Sequence, residues 1–194
     1  MTPTRLSLLI LAGPNGCGKT TIADFMVRSG KLGLFLNADL IARGLENDQS
    51  NGGQIESGRV MLERLHTAIQ SKTSISFETT LSGRTWLRLI SDAKRQGFEI
   101  TICYVAVNSP NLAIARVENR VREGGHFVPA ADIERRYHRS LGLFWKTYMQ
   151  LVDNWYFFDN SESSAVLVAY REMPAQEVVL NKVIFESYQA ADGY

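Results

Sequence analysis

Residues 7–21 read Ser-Leu-Leu-Ile-Leu-Ala-Gly-Pro-Asn-Gly-Cys-Gly-Lys-Thr-Thr, and the rest of the chain is interpreted outward from them. Ser7 to Ala12 has the length and apolar character of a buried strand. Gly13, Pro14, Asn15, Gly16, Cys17, Gly18, Lys19 and Thr20 then satisfy G-x-x-x-x-G-K-[ST], and an amphipathic helical pattern opens at Lys19. In that setting the glycines let backbone N–H groups converge on phosphate oxygens, and the helix N-terminus adds its positive dipole end. Lys19 is expected to reach the β and γ phosphates of ATP, Thr20 to hold Mg²⁺ through its hydroxyl, and Thr21 to meet the α phosphate. A glycine-rich turn that binds nothing is the competing interpretation, and the correct flanks on both sides argue against it. Cys17 leaves two readings open: a thiol activated by Lys19 and the helix end, or an inert small side chain.

Strand-length apolar runs alternate with helical patterns along the whole chain, which predicts an α/β fold of the P-loop NTPase type, with a mostly parallel sheet flanked by helices. Strands are expected at Ser7 to Ala12, Gly33 to Ala38, Ser74 to Glu78, Glu99 to Val107, Trp155 to Asp159 and Ala165 to Ala169. Helices are expected at Lys19 to Ser29, Gly53 to Ser71, Arg84 to Gln96, Pro110 to Arg122, Ala130 to Leu151 and Ala175 to Ala190. Gly30 and Gly97 sit just past helix ends, and Pro110 follows Ser109 as a first helical residue. With no repeat or linker, residues 1–194 form one expected domain.

The chain has 194 residues, 45% of them hydrophobic, enough for one sizeable core, and its formal charge is only +1. A near-neutral molecule without basic and aromatic interleaving makes nucleic acid an unlikely partner. No apolar stretch reaches the ~18 to 20 residues that span a bilayer, and Met1 to Leu11 reads as a strand rather than a leader, so a cytoplasmic location with no membrane partner is expected. The two cysteines, Cys17 and Cys103, have neither disulfide nor metal-ligand spacing, and the three histidines form no zinc pattern.

Ligands of open α/β sheets sit at the carboxyl ends of strands, so the polar residues there matter most. The run Ile100 to Val107 ends in Asn108-Ser109 rather than an acid, which disfavours a motor or transporter ATPase. Asp39 and Glu78 do end apolar runs. Asp39 is suited either to accept the proton of a substrate hydroxyl or to cap a helix over Leu40 to Leu45. Glu78 is suited to hold a metal-bound water or a substrate hydroxyl, or simply to open the following helix, and Thr79 and Thr80 suit a polar acceptor.

Six of the fifteen arginines fall between Arg116 and Arg139, on helical segments broken by Gly124-Gly125-His126. Such a pair of helices, roughly residues 120–139, suits a lid whose guanidiniums fork onto phosphates; internal ion pairs to Glu118, Glu123, Asp132 and Glu134 are the plainer alternative. Asn160, after the fifth strand, is placed near the adenine. The aromatics from Phe144 to Phe158 read as core.

Together, the loop Gly13 to Thr20, Asn37-Ala38-Asp39, Phe77 to Gly83, Arg116 to Pro129 and Asp159-Asn160-Ser161 resemble the short zeta-toxin-like P-loop kinases, also labelled predicted ABC-type ATPases. The resemblance runs in order over nearly the whole chain. It implies an ATP-dependent, nucleotide-kinase-like phosphotransferase acting on a hydroxyl of a small-molecule acceptor, as zeta toxins act on a UDP-amino sugar, with an antitoxin protein as a partner. It implies Asp39 as base and substrate contact, Glu78, Thr79 and Thr80 as the acceptor lining, and Arg120 as the match to the family's first lid arginine; Lys19, Arg120 and Arg136 are the catalytic candidates beside Asp39, and Arg122 and Arg139 stand in reserve. This chain departs from true zeta toxins at His126, where a second lid arginine is expected, so His126 enters as a substrate-binding candidate. An ATP-gated regulatory module with slow hydrolysis is the other class of function, and it would not require Asp39.

Overall fold

The computed structural model describes residues 5–28, 34–37 and 51–190. A seven-stranded sheet runs through it in the order β2-β3-β1-β4-β5-β6-β7. Its strands are β1 (Ser7–Ala12), β2 (Leu34–Leu36), β3 (Ile75–Thr79), β4 (Glu99–Ala106), β5 (Asn154–Asp159), β6 (Val166–Glu172) and β7 (Val178–Val179). The first five are parallel, with β1 paired to β3 on one side and to β4 on the other. Strands β6 and β7 extend the sheet antiparallel. Helices α1 (Lys19–Arg28), α2 (Asn51–Gln70), α3 (Trp86–Arg95), α4 (Pro110–Arg122), α5 (Ala130–Leu143) and α6 (Lys182–Ala190) flank it.

Central strands buried on both sides need near-continuous apolar sequence. Leu8, Ile10 and Ala12 of β1 and Ile100, Ile102, Tyr104, Val105 and Ala106 of β4 are fully buried, as the run lengths predict. Helix α4 keeps its expected bounds because both ends are chemically marked. Ser109 accepts the Leu112 N–H at 3.3 Å ahead of Pro110, and Gly124 at φ +85 lets its own N–H reach Val121 O (3.0 Å) while Gly125 N–H reaches Arg120 O (2.8 Å). The same pair of bonds, Gly97 to Lys94 and Phe98 to Ala93, closes α3.

Two expected helices are corrected. The pattern from Ala130 to Leu151 is α-helical only to Leu143; Phe144–Tyr148 forms a π turn before a last turn at Met149–Leu151. The π turn seats Phe144, Trp145 and Tyr148 in the core, where Phe144 lies 4.4 Å from the Tyr104 ring and Trp145 lies 4.8 Å from that of Phe157. The last expected helix, Ala175 to Ala190, starts only at Lys182. Val178 and Val179 instead pair with Tyr170 and Ala169, and Asn181 accepts the Ile184 N–H at 3.1 Å and so caps α6. The second strand is seen over Leu34–Leu36; Gly30, Gly33 and the expected helix over Leu40 to Leu45 lie outside the described residues. No helix among the described residues is long and apolar enough to cross a membrane.

Candidate active site

The loop between β1 and α1 is built by close backbone approach. A Cβ on Gly16, at φ +77, would stand 2.3 Å from the carbonyl oxygen of Ala113, so the loop packs directly against the first turns of α4. Asn160, just past β5, donates from Nδ2 to Cys17 O at 2.9 Å and from its backbone N–H to Ala106 O at 2.8 Å, tying the loop to the ends of β4 and β5. Cys17 is fully buried, and burial pushes its thiol up in pKa against the opposing pull of Lys19. The inert reading of Cys17 is therefore the one the structure favours.

Lys19 is buried at the start of α1, with Nζ donating to Pro14 O at 2.9 Å and 3.8 Å from Glu78 Oε1. The other carboxylate oxygen of Glu78 accepts from Asn37 Nδ2 at 2.7 Å and from the Thr20 hydroxyl at 3.3 Å. Both oxygens are thus held, and Glu78 faces the hydroxyl singled out for Mg²⁺. A buried ion pair of this kind adds little net stability, because desolvation offsets the attraction. Its chemical value is the preset alignment of ammonium, hydroxyl and carboxylate beside the phosphate loop.

Across the cleft, Arg116 donates to the carbonyls of Asn160 (2.7 Å), Ser161 (3.1 Å) and Glu162 (3.3 Å), so it holds the segment after β5 in place. Arg120 donates to His126 O at 2.9 Å, and its Nε is buried with no hydrogen-bond partner. Arg136 comes from α5 and reaches Asn15 Oδ1 at 3.4 Å. Helix α5 is itself anchored on the sheet. The Tyr137 hydroxyl, pushed up to about 12 by burial and then by Asp159 and so kept protonated, donates to Val107 O at 2.7 Å. The Ser140 hydroxyl pairs with that of Tyr104 at 2.8 Å.

These groups line one cleft of about 800 Å³, which brings together Asn15, Gly16, Gly18, Lys19, Thr20, Thr21, Glu78, Thr79, Thr80, Arg120, Arg136 and Asn160 from the sequence-based set. Gly13, Pro14 and Cys17 lie buried behind the loop. Asp39 lies outside the described residues. His126 is exposed and contributes its carbonyl to Arg120 rather than lining the cleft. Arg122 and Arg139 are exposed and absent from the lining, and Arg135 pairs with Asp132 at 2.7 Å, as the plainer reading of the lid allowed. Thr79 and Thr80 line the cleft with hydroxyls partly engaged locally: Thr79 Oγ1 accepts from Trp86 Nε1 and Leu81 N–H and keeps its own O–H to donate, and Thr80 Oγ1 pairs with Ser82.

Arg116, counted among the six lid arginines and sharing a helix face with Arg120 by i, i+4 spacing, was not singled out as a site residue, yet it lines the cleft. Asn37, part of the quoted Asn37-Ala38-Asp39 segment but not singled out as a site residue, and Trp86, which carried no motif signal, also line the cleft. Among the described residues no group of three or more His, Cys, Asp or Glu could hold a metal. A hydroxyl beside one carboxylate is nonetheless a hard-oxygen set that fits Mg²⁺, which binds with few protein ligands and takes the rest from water and phosphate.

Comparison with known proteins agrees with this fold. The family model AAA_33, an AAA domain, matches residues 8–139. An uncharacterized protein of Haemophilus influenzae is 29% identical over 129 residues, covering 66% of this chain and 91% of that protein. Among solved structures, the AvrRxo1-ORF1 complex with ORF2 and ATP superposes with a TM-score of 0.76 at 18% identity, over 97% of this chain; this chain spans only 65% of that one. The PezAT toxin-antitoxin system of Streptococcus pneumoniae superposes at 0.61 with 14% identity, over 99% of this chain and 86% of that one. A candidate kinase of Chloroflexus aurantiacus gives 0.57 at 19% identity, over 70% of this chain and 80% of that one. At these identities the superpositions establish the fold alone.

Proposed function

The chain belongs to this AAA domain family of P-loop proteins, and from that premise we propose that it is an ATP-dependent kinase that transfers the γ-phosphate to a hydroxyl of a small acceptor. The observation that carries the reading is the convergence of Lys19, Thr20, Glu78, Arg116, Arg120 and Arg136 on one cleft. Phosphoryl transfer asks mainly for positioning and charge stabilisation, and this cleft supplies both.

In this reading the phosphate loop and Lys19 hold the β and γ phosphates. Thr20 and Glu78 would hold Mg²⁺, which when bound neutralises charge on those phosphates. Asp39 orients the acceptor hydroxyl and takes its proton as the acceptor oxygen bonds to the γ phosphorus and the bond to the ADP oxygen breaks. Arg120 and Arg136 stabilise the charge on the transferring group and exclude water. The resemblance to zeta toxins makes a UDP-amino sugar the first acceptor to try. The toxin-antitoxin and two-component complexes among the structural relatives make a bound partner protein part of the same proposal.

The test is incubation with ATP, Mg²⁺ and a panel of nucleotide sugars, nucleosides and short oligonucleotides, with products followed by mass spectrometry and Asp39→Asn run alongside. A phosphate-sized mass gain on one acceptor, lost in the variant, is the expected result. No mass gain on any acceptor, with equal ATP loss in both proteins, would sink the kinase reading in favour of an ATP-gated module.

A further inference from the structure

The wall of the cleft past β5 is held from behind by helix α6. Asn160, Glu162, Ser163, Ser164 and Ala165 line the cleft beside the phosphate loop. Asp159, just ahead of them, turns the chain at this point. Its Oδ1 accepts the Ser161 N–H at 3.1 Å and the Ser161 hydroxyl as well, which makes an Asx turn. The Ser161 oxygen in turn accepts the Asn108 N–H at 2.9 Å, beyond the end of β4. A third donor reaches the same Asp159 oxygen from α6, the Tyr188 hydroxyl at 2.7 Å. Arg116 clamps the carbonyls of this segment from the cleft side, while Asp159 and Tyr188 hold it from the core side.

Tyr188 is buried and absent from the cleft lining, so it is not placed to touch a ligand. Its ring packs edge-on against Phe157 of β5, with centroids 5.1 Å apart. Phe185, one turn earlier on the same face of α6, packs edge-on against Trp145 at 5.3 Å. Phe185 shows that packing on this face needs no hydroxyl, so the hydroxyl of Tyr188 is accounted for by Asp159 rather than by the core. Burial, with the neighbouring Asp159 charge, pushes that hydroxyl well up in pKa, and it remains a donor. A carboxylate oxygen that takes three donors is fixed in place, and the turn it closes is fixed with it. The phosphate loop is braced without Tyr188, by Gly16 against Ala113 and by Lys19 on Pro14 O. Asn160 keeps its own bonds to Ala106 O and Arg116, so what Tyr188 controls is the course of the chain from Ser161 onward. Helix α6 lies outside residues 8–139, which the family model matches.

We propose that Tyr188 is a positioning residue for nucleotide binding: through Asp159 it sets residues 161–165 against the nucleoside end of ATP, while the phosphate loop holds the triphosphate independently of it. The proposal rests on the nucleotide-binding half of the kinase reading and not on the acceptor. Equilibrium dialysis in the presence of Mg²⁺ compares the β,γ-imido analogue of ATP with inorganic tripolyphosphate, which carries the phosphates and no nucleoside.

Tyr188→Phe keeps the ring and removes the donor. It is expected to weaken the analogue about fivefold to tenfold, part of what a hydrogen bond to a charged group contributes, and to leave tripolyphosphate within about twofold. Asp159→Ala should show the same selective loss, and Tyr188→Phe should add nothing to it, because the two act in series. Phe185→Leu loosens α6 without touching Asp159; it should lower the melting temperature and leave the ratio of the two affinities unchanged. Equal weakening of both probes by Tyr188→Phe, no weakening of the analogue, or a ratio shifted as far by Phe185→Leu would overturn the proposal and leave the kinase reading standing. So would wild-type protein that binds the analogue but binds tripolyphosphate equally tightly or not at all. Wild-type protein that takes up neither probe would sink both.

Discussion

At the scale of single residues, Lys19 and Glu78 depend on each other. Lys19→Met removes the cation facing a carboxylate that is largely shielded from water, and it is expected to lower stability by about 2 kcal/mol. Adding Glu78→Gln should return part of that loss in thermal unfolding, because no unpaired charge then remains. Lys19→Met should also cut ATP turnover by roughly a hundredfold or more, since it removes a charge aimed at the phosphates. Cys17 and Cys103 are both buried, and burial raises both thiols, Cys103 to about 12. A raised pKa means less thiolate at a given pH. Iodoacetamide at about pH 8 should therefore label neither cysteine appreciably in the folded protein and both after denaturation, as read by intact mass.

At the scale of elements, the lid is held by how α4 ends. The two bonds that close α4 fold Gly125 back over Arg120, so a Cβ at Gly125 would stand 2.6 Å from Arg120 Cγ and 2.8 Å from its carbonyl oxygen. Gly125→Ala must shift the arginine or the loop. It is expected to lower turnover by roughly tenfold to a hundredfold through misplacement of Arg120, and to lower the melting temperature as well, because part of the clash is with backbone. Ser109→Ala removes the cap at the other end of the same helix and should cost about 1 kcal/mol in urea unfolding, with the cleft chemistry intact. The bounds of α4 were legible in the sequence because Ser109, Pro110 and Gly124 act on their immediate neighbours. The late start of α6 was not, because Val178 and Val179 pair with β6, which no local pattern announces.

At the scale of the whole molecule, the cleft joins the ends of β3, β1 and β5, so a nucleotide bound there braces segments far apart in sequence. The Mg²⁺ complex of the β,γ-imido analogue, at about a hundred times its dissociation constant, should stabilise the fold by ~2.7 kcal/mol. That corresponds to a rise in melting temperature of roughly 5 to 10 °C for a chain of this size, and Lys19→Met should abolish most of it. The α/β class, the phosphate loop, the central strands and α4 were determined by the sequence by itself. Each depends on side-chain periodicity or on steric and hydrogen-bonding rules acting within a few residues. Only the tertiary structure decided that Glu78 meets Thr20 across 58 positions, that Arg136 reaches Asn15 across 121, that Arg116 clamps the segment after β5, and that Trp86 faces the cleft while His126 does not. Those distances follow from the order in which strands pair, a cooperative outcome of burying the whole core that no short stretch of chain encodes.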